Sequence, residues 1–157
     1  MKIVNISTLE NRLKTLESYI PHSKSVDATI SKADVAWHLD HSLKVLNAVA
    51  KSMEASDPAL FRNNFSLIGK ICLKIGFFPR GKAKVPKYLA SPEVILDSAI
   101  VSQLAEARQH IKGINDLDDN AYFRHPLFGH INKKRVFRFM DTHTKHHLKI
   151  VRSILKK

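Results

Sequence analysis

The sequence predicts an all-α fold, most simply a four-helix bundle with additional short helices and long connections, on three observations. Four segments repeat their apolar residues with the period of a helix, and almost nothing alternates with the period of a strand. Only five glycines and six prolines occur among 157 residues, of which 44% are hydrophobic, which excludes collagen-like, low-complexity and wholly disordered chains. That length buries a core without covalent staples, so one domain is expected over residues 1–157.

The first helix is expected over roughly 7 to 20, capped by Ser7 or Thr8, with Leu9, Leu13, Leu16 and Ile20 on one stripe and Pro21 ending it. The second should run from about Ser31 to Met53: a serine cap precedes apolar positions at Val35, Leu39, Leu43, Leu46, Val49 and Met53. The stretch SDPALFRNNFSLIGKICLKIG has room for one or two short helices. FFPRGKAKVPKYLASP, with Pro79, Gly81, Pro86 and Pro92, reads as a loop. A third long helix should start at Ser91 and Pro92, a cap and a first-turn proline, and continue to about Gly113. The connection after it holds HPLFG, whose Pro126 and Gly129 mark an ordered turn, and the last helix should begin near Lys133 and run to the end of the chain.

Lysine and arginine total 26 against 14 acidic residues, a formal net charge of +12, enough to concentrate anionic partners. The charges run from Lys2 to Lys157, denser at Arg80 to Lys87 and Lys133 to Arg138, with no aromatic-interleaved motif, so a solvated surface is favoured over a nucleic-acid site. Arg80, Lys82, Lys84 and Lys87 could alternatively steer an anionic substrate. The single cysteine, Cys72, makes no intramolecular disulfide and reads as a small buried hydrophobe. No segment reads as a signal peptide or a membrane span, so a cytoplasmic protein without membrane contact is expected.

Chemistry concentrates in the histidines. Three of the nine fall in HTKHHLKI on the last helix. At about 100° per residue the apolar stripe of Val136, Phe139, Met140, Ile150, Val151 and Ile154 is centred about 20° from both His143 and His147, and about 80° from His146. Two imidazoles four residues apart on a core-facing stripe either form hydrogen bonds to core carboxylates and carbonyls or share one metal ion. A third ligand is offered by the second helix, where the stripe centre lies about 75° from His38 and about 135° from His41. His38 thus borders the core, while His41 points toward solvent and, like His146, is expected to be a surface group or one that supports a ligand from outside. A site of His38, His143 and His147 would take zinc, nickel, iron or manganese and leave a position open for water or substrate.

The tryptophan followed by HL in WHLDHSL, with the HxxxH of HTKHHLKI, resembles the DinB/YfiT superfamily, and HPLFGHINKKRVFRFMDTHTKHHLKI is similar to an uncharacterised bacterial branch of it. The resemblance covers the chain from about residue 8 to its end and departs from the general pattern in the basic, proline-containing connection 76–92. It implies a four-helix bundle with a three-histidine metal site, and by motif it selects His38, His143 and His147, the three reached from the angles. Characterised members include transferases and isomerases that use low-molecular-weight thiols, and others are described as metal-dependent hydrolases, often dimeric. The expected activity is therefore thiol transfer or hydrolysis on a small molecule. A basic nucleic-acid-associated protein and a metal-free helical interaction module are the alternatives.

Overall fold

A computed structural model describes residues 4–79 and 87–156. The chain is mostly helical. Among the described residues, five α-helices are joined by short 3₁₀ turns and one β-hairpin: α1 (Ile6–Ser18), α2 (Val35–Glu54), α3 (Leu67–Ile75), α4 (Asp97–Gly113) and α5 (Lys133–Leu155), with β1 (Tyr122–His125) and β2 (Gly129–Asn132) before α5. No described helix is long and apolar enough to cross a membrane.

Caps lie close to the expected places but use other residues. Asn5, not Ser7 or Thr8, caps α1 by accepting from the Thr8 N–H at 3.1 Å. Asp34 caps α2 through the Trp37 N–H at 2.8 Å. Ser31, expected as that cap, instead pairs its hydroxyl with the ring of His38. Likewise Ser91 and Pro92 do not open α4: the Ser91 hydroxyl donates to Asp40 on α2, and the helix begins at Asp97. The stretch after α2 forms a 3₁₀ turn at Pro58–Leu60 and then α3.

Helix α2 is the axis of the fold. It packs on α4 and α5, and α1 packs on the same two helices. Leu9, Leu13 and Leu16 of α1, Leu39, Leu43 and Leu46 of α2, Ile100 and Leu104 of α4, and Val136 and Val151 of α5 are all essentially inaccessible to water. At about 1.5–3 kcal/mol per fully buried aliphatic side chain, this core supplies most of the driving force for folding. Cys72 is buried among apolar groups, as its sequence context indicates.

The hairpin is the element that the sequence does not announce. Its strands are antiparallel, with Tyr122 opposite Asn132 and His125 opposite Gly129, and the HPLFG segment forms the turn. Gly129 has φ +79°, and a Cβ there would lie 2.6 Å from the Asn64 carbonyl oxygen, so both backbone conformation and close approach require glycine. The expected loop 76–92 falls partly on residues 80–86, which lie outside the described residues; its end forms a 3₁₀ turn at Lys87–Leu89.

Candidate metal centre

Three imidazoles from two helices converge beside the core. His41 of α2 and His143 and His147 of α5 offer one ring nitrogen each, and these atoms all lie within 4.8 Å of one another. The HxxxH spacing places His143 and His147 one turn apart with ring centroids at 4.7 Å, and His41 stands 5.3 Å and 4.9 Å from them.

His38 is also present, in a different position. It is 3% exposed, and its Nδ1 lies 3.0 Å from Nδ1 of His147, while its Nε2 lies 3.0 Å from the Ser31 hydroxyl. The structure therefore gathers His143 and His147 as expected, sets His38 behind His147, and brings in His41. His41 is 6% exposed, which overturns its expected surface position. The projection measured distance from one apolar stripe, but α2 is covered on further sides. Trp37 stacks on His41 with centroids 4.8 Å apart and planes 11° apart, and the segment ending at Ser91 crosses the polar flank of the helix.

That segment is held by a buried carboxylate. Asp40 receives the Ser91 hydroxyl at 2.5 Å, Gln103 Nε2 at 2.8 Å and Lys44 Nζ at 2.9 Å, and Lys44 also donates to the Ala90 carbonyl. Burial pushes the Asp40 carboxyl up, but the hydrogen bonds from Ser91, Lys44 and Gln103 outweigh it and hold it below its ordinary value. Asp141, two residues before His143, is occupied elsewhere, binding Arg12 at 2.8 Å and Lys145 at 3.0 Å. Asp34 is occupied as a cap.

Electrostatics keep the cluster neutral. Burial lowers the His41 pKa from 6.5 to about 4, against the opposing field of Asp40 and the Leu89 carbonyl. Burial, reinforced by neighbouring imidazoles, holds His143 and His147 well below 6.5. Neutral imidazole is the form that binds a cation.

The donor set fits a metal ion by one further observation: the buried Nδ1 of His41 has no hydrogen-bond partner. An unpaired buried polar atom costs about 1–3 kcal/mol, which a cation at the centre of the three rings would remove. The tautomers are compatible. If His147 Nδ1–H donates to His38 Nδ1, and His38 Nε2–H donates to Ser31, the Nε2 lone pair of His147 is free to ligate. His146, expected at the surface or in support of a ligand, is partly buried with its ring 5.1 Å from that of His147. Comparison of the chain with protein-family models, curated proteins and solved structures gives no match.

Proposed function

We propose that this chain is a metal-dependent enzyme of the DinB/YfiT kind, with α1, α2, α4 and α5 as its four-helix bundle, acting by hydrolysis or thiol transfer on a small molecule. His41, His143 and His147 hold the divalent ion, whether zinc, nickel, iron or manganese. His38, the ligand that the motif selects, serves instead to orient His147. The observation that carries this reading is the convergence of three neutral imidazoles within 4.8 Å, one with an unpartnered buried nitrogen.

A cation held by three histidines supplies Lewis-acid chemistry and leaves coordination positions for water, a thiol or substrate. Around it the protein's own groups set the conditions. Trp37 lies flat on His41 and shields it from water. His38, backed by Ser31, fixes which nitrogen of His147 carries its proton. Asp40 clamps the Ser91 segment over the α2 flank, so the imidazoles sit among rigid elements.

The test is metal stoichiometry by plasma mass spectrometry on untagged protein reloaded with each of the four metals. About one ion per chain is expected, lost when His143 and His147 are both replaced by alanine. Failure of the reloaded protein to retain any of the four would overturn the proposal.

A further inference from the structure

Beside the histidine cluster the chain leaving α3 turns back along α5 and leaves a cavity of about 280 Å³, near the lower end of the range for small-molecule sites. The turn is built in. Gly76 closes α3 in the left-handed region at φ +69°, and Arg138 of α5 grips the end of that helix by donating from Nε to the Leu73 carbonyl at 2.8 Å. Phe77 and Phe78 are thereby laid against α5 as one wall, and Lys145, His146, Lys149 and Ile150 form the other.

The cavity adjoins the cluster. On α5, Ile150 lies about 20° around the helix from His143, whereas Lys145 and Lys149 lie about 160° and about 120° from it, so the cavity meets the ligands along its Ile150 edge. The Phe78 ring lies 6.4 Å from that of His143, and the His146 ring stands at 88° to that of His147. The two sites share this wall.

The lining selects a chemical class. Among the described residues it contains two lysines and no carboxylate. Lys145 is paired with Asp141, but that one carboxylate also neutralises Arg12, so the three groups together remain positive. Lys149 is exposed, and Phe77, half exposed, offers an apolar face in the same lining. A small anion with an apolar group satisfies both halves: its charge meets the lysines and its body meets the phenylalanines and Ile150.

We infer that this cavity receives the substrate of the histidine site, and that the substrate is a small organic anion bearing an apolar group. The inference rests on the metalloenzyme reading for the word substrate, but not for binding of the anion. Phenyl phosphate is a suitable probe, benzyl alcohol its neutral counterpart and inorganic phosphate its charge alone. In amide-resolved NMR titrations of the full chain, phenyl phosphate should give saturable shifts at Phe77, Phe78, Lys149 and Ile150. Benzyl alcohol and inorganic phosphate should each bind at least about tenfold more weakly, and Lys149→Glu should weaken phenyl phosphate by a similar factor, the scale of one charge-assisted contact. In protein loaded with manganese, the ring protons of bound phenyl phosphate should relax faster.

Equal binding of the neutral compound, or shifts scattered over lysines across the surface, would overturn the anion site. Normal relaxation in fully loaded protein would overturn its link to the histidines. Metal content, read separately, distinguishes the failures. Loss of cavity binding with metal retained condemns the cavity alone, and cavity binding without metal uptake condemns the enzyme reading and with it the term substrate.

Discussion

Buried and half-buried histidines occur in two regions of this molecule, and they differ in what satisfies their nitrogens. In the hairpin, Nδ1 of His125 accepts from the N–H groups of Leu127 and Phe128, both at 3.2 Å, and its ring stacks on Phe128. Nδ1 of His130 accepts from the Arg62 N–H at 3.0 Å, and its ring stacks on Tyr122. Between α2 and α5, Nδ1 of His147 faces Nδ1 of His38, and Nδ1 of His41 has no partner. Burial lowers the pKa of His41 and of His125 alike, each to about 4, so neither burial nor pKa separates the two regions. The destination of each lone pair does. Backbone amides use a histidine up as a structural acceptor, whereas imidazoles facing one another leave lone pairs for a cation.

The largest expected consequence of that difference is in metal affinity. His147→Ala should abolish stoichiometric metal uptake, a loss beyond the roughly 10- to 100-fold typical of groups that only orient a ligand. His130→Ala should leave uptake intact and lower stability by about 1–3 kcal/mol, the cost of removing the partner of a backbone N–H together with a packed ring. Metal content and thermal melts on both variants check this. Equal loss of metal from both would erase the distinction between the regions.

In metal-free protein the two regions should instead behave alike. Unfolded imidazoles titrate near 6.5, while folded His41 and His125 titrate near about 4. Between these values the unfolded chain binds protons that the folded chain refuses. Stability is therefore fully present above about pH 6.5 and is lost as pH falls toward 4. Thermal unfolding with chelator across this window should show the decline, and His125→Asn should make it shallower without changing metal uptake. A melting temperature independent of pH in that window would contradict both burials.

The contrast between regions also marks how far the sequence could be read. Helix α5 begins at Lys133 as expected, and α1 and α2 lie within a few residues of their predicted spans, because leucines spaced by a turn report a helix that packs on one side. The hairpin escaped because its strands have four residues each, too few for alternation to stand out, although its HPLFG turn was visible. His143 and His147 were legible because α5 has one broad apolar stripe. His41 was not, because α2 buries fourteen of its twenty residues and its polar flank is covered by Trp37 and the Ser91 segment. A projection against one stripe cannot register a second buried face. The cue that remained was composition: a carboxylate at Asp40 and an imidazole at His41 side by side in a largely apolar helix, each needing partners if buried.

His38 tests the boundary between ligand and support. As an orienting group its replacement, His38→Ala, should weaken metal binding by about 10- to 100-fold while leaving the stoichiometry near one ion per chain. Loss of the ion altogether would place His38 among the ligands and return the site to the set that the sequence motif selects. Competition with a chromophoric chelator separates these outcomes.

Ser31 gives the smallest effect, and the sign of that effect is informative. Its hydroxyl lies 3.0 Å from Nε2 of His38 and already accepts from the Ala33 N–H. Two proton arrangements satisfy the chain from His147 to Ser31. In one, each histidine donates toward Ser31 and the Nε2 lone pair of His147 is left for the cation. In the other, the serine donates, His38 donates from Nδ1 to His147, and His147 carries its proton on Nε2, where no cation can bind. The metal-binding reading requires the first. Ser31→Ala removes the acceptor that favours it, so affinity should fall by about 2- to 10-fold, the worth of one neutral hydrogen bond. An increase would mean that the serine holds the ring in the second arrangement and that the cation must displace a proton to enter. Nitrogen-15 spectra of the histidine side chains, recorded without metal, report the tautomers directly and would identify the arrangement independently of affinity.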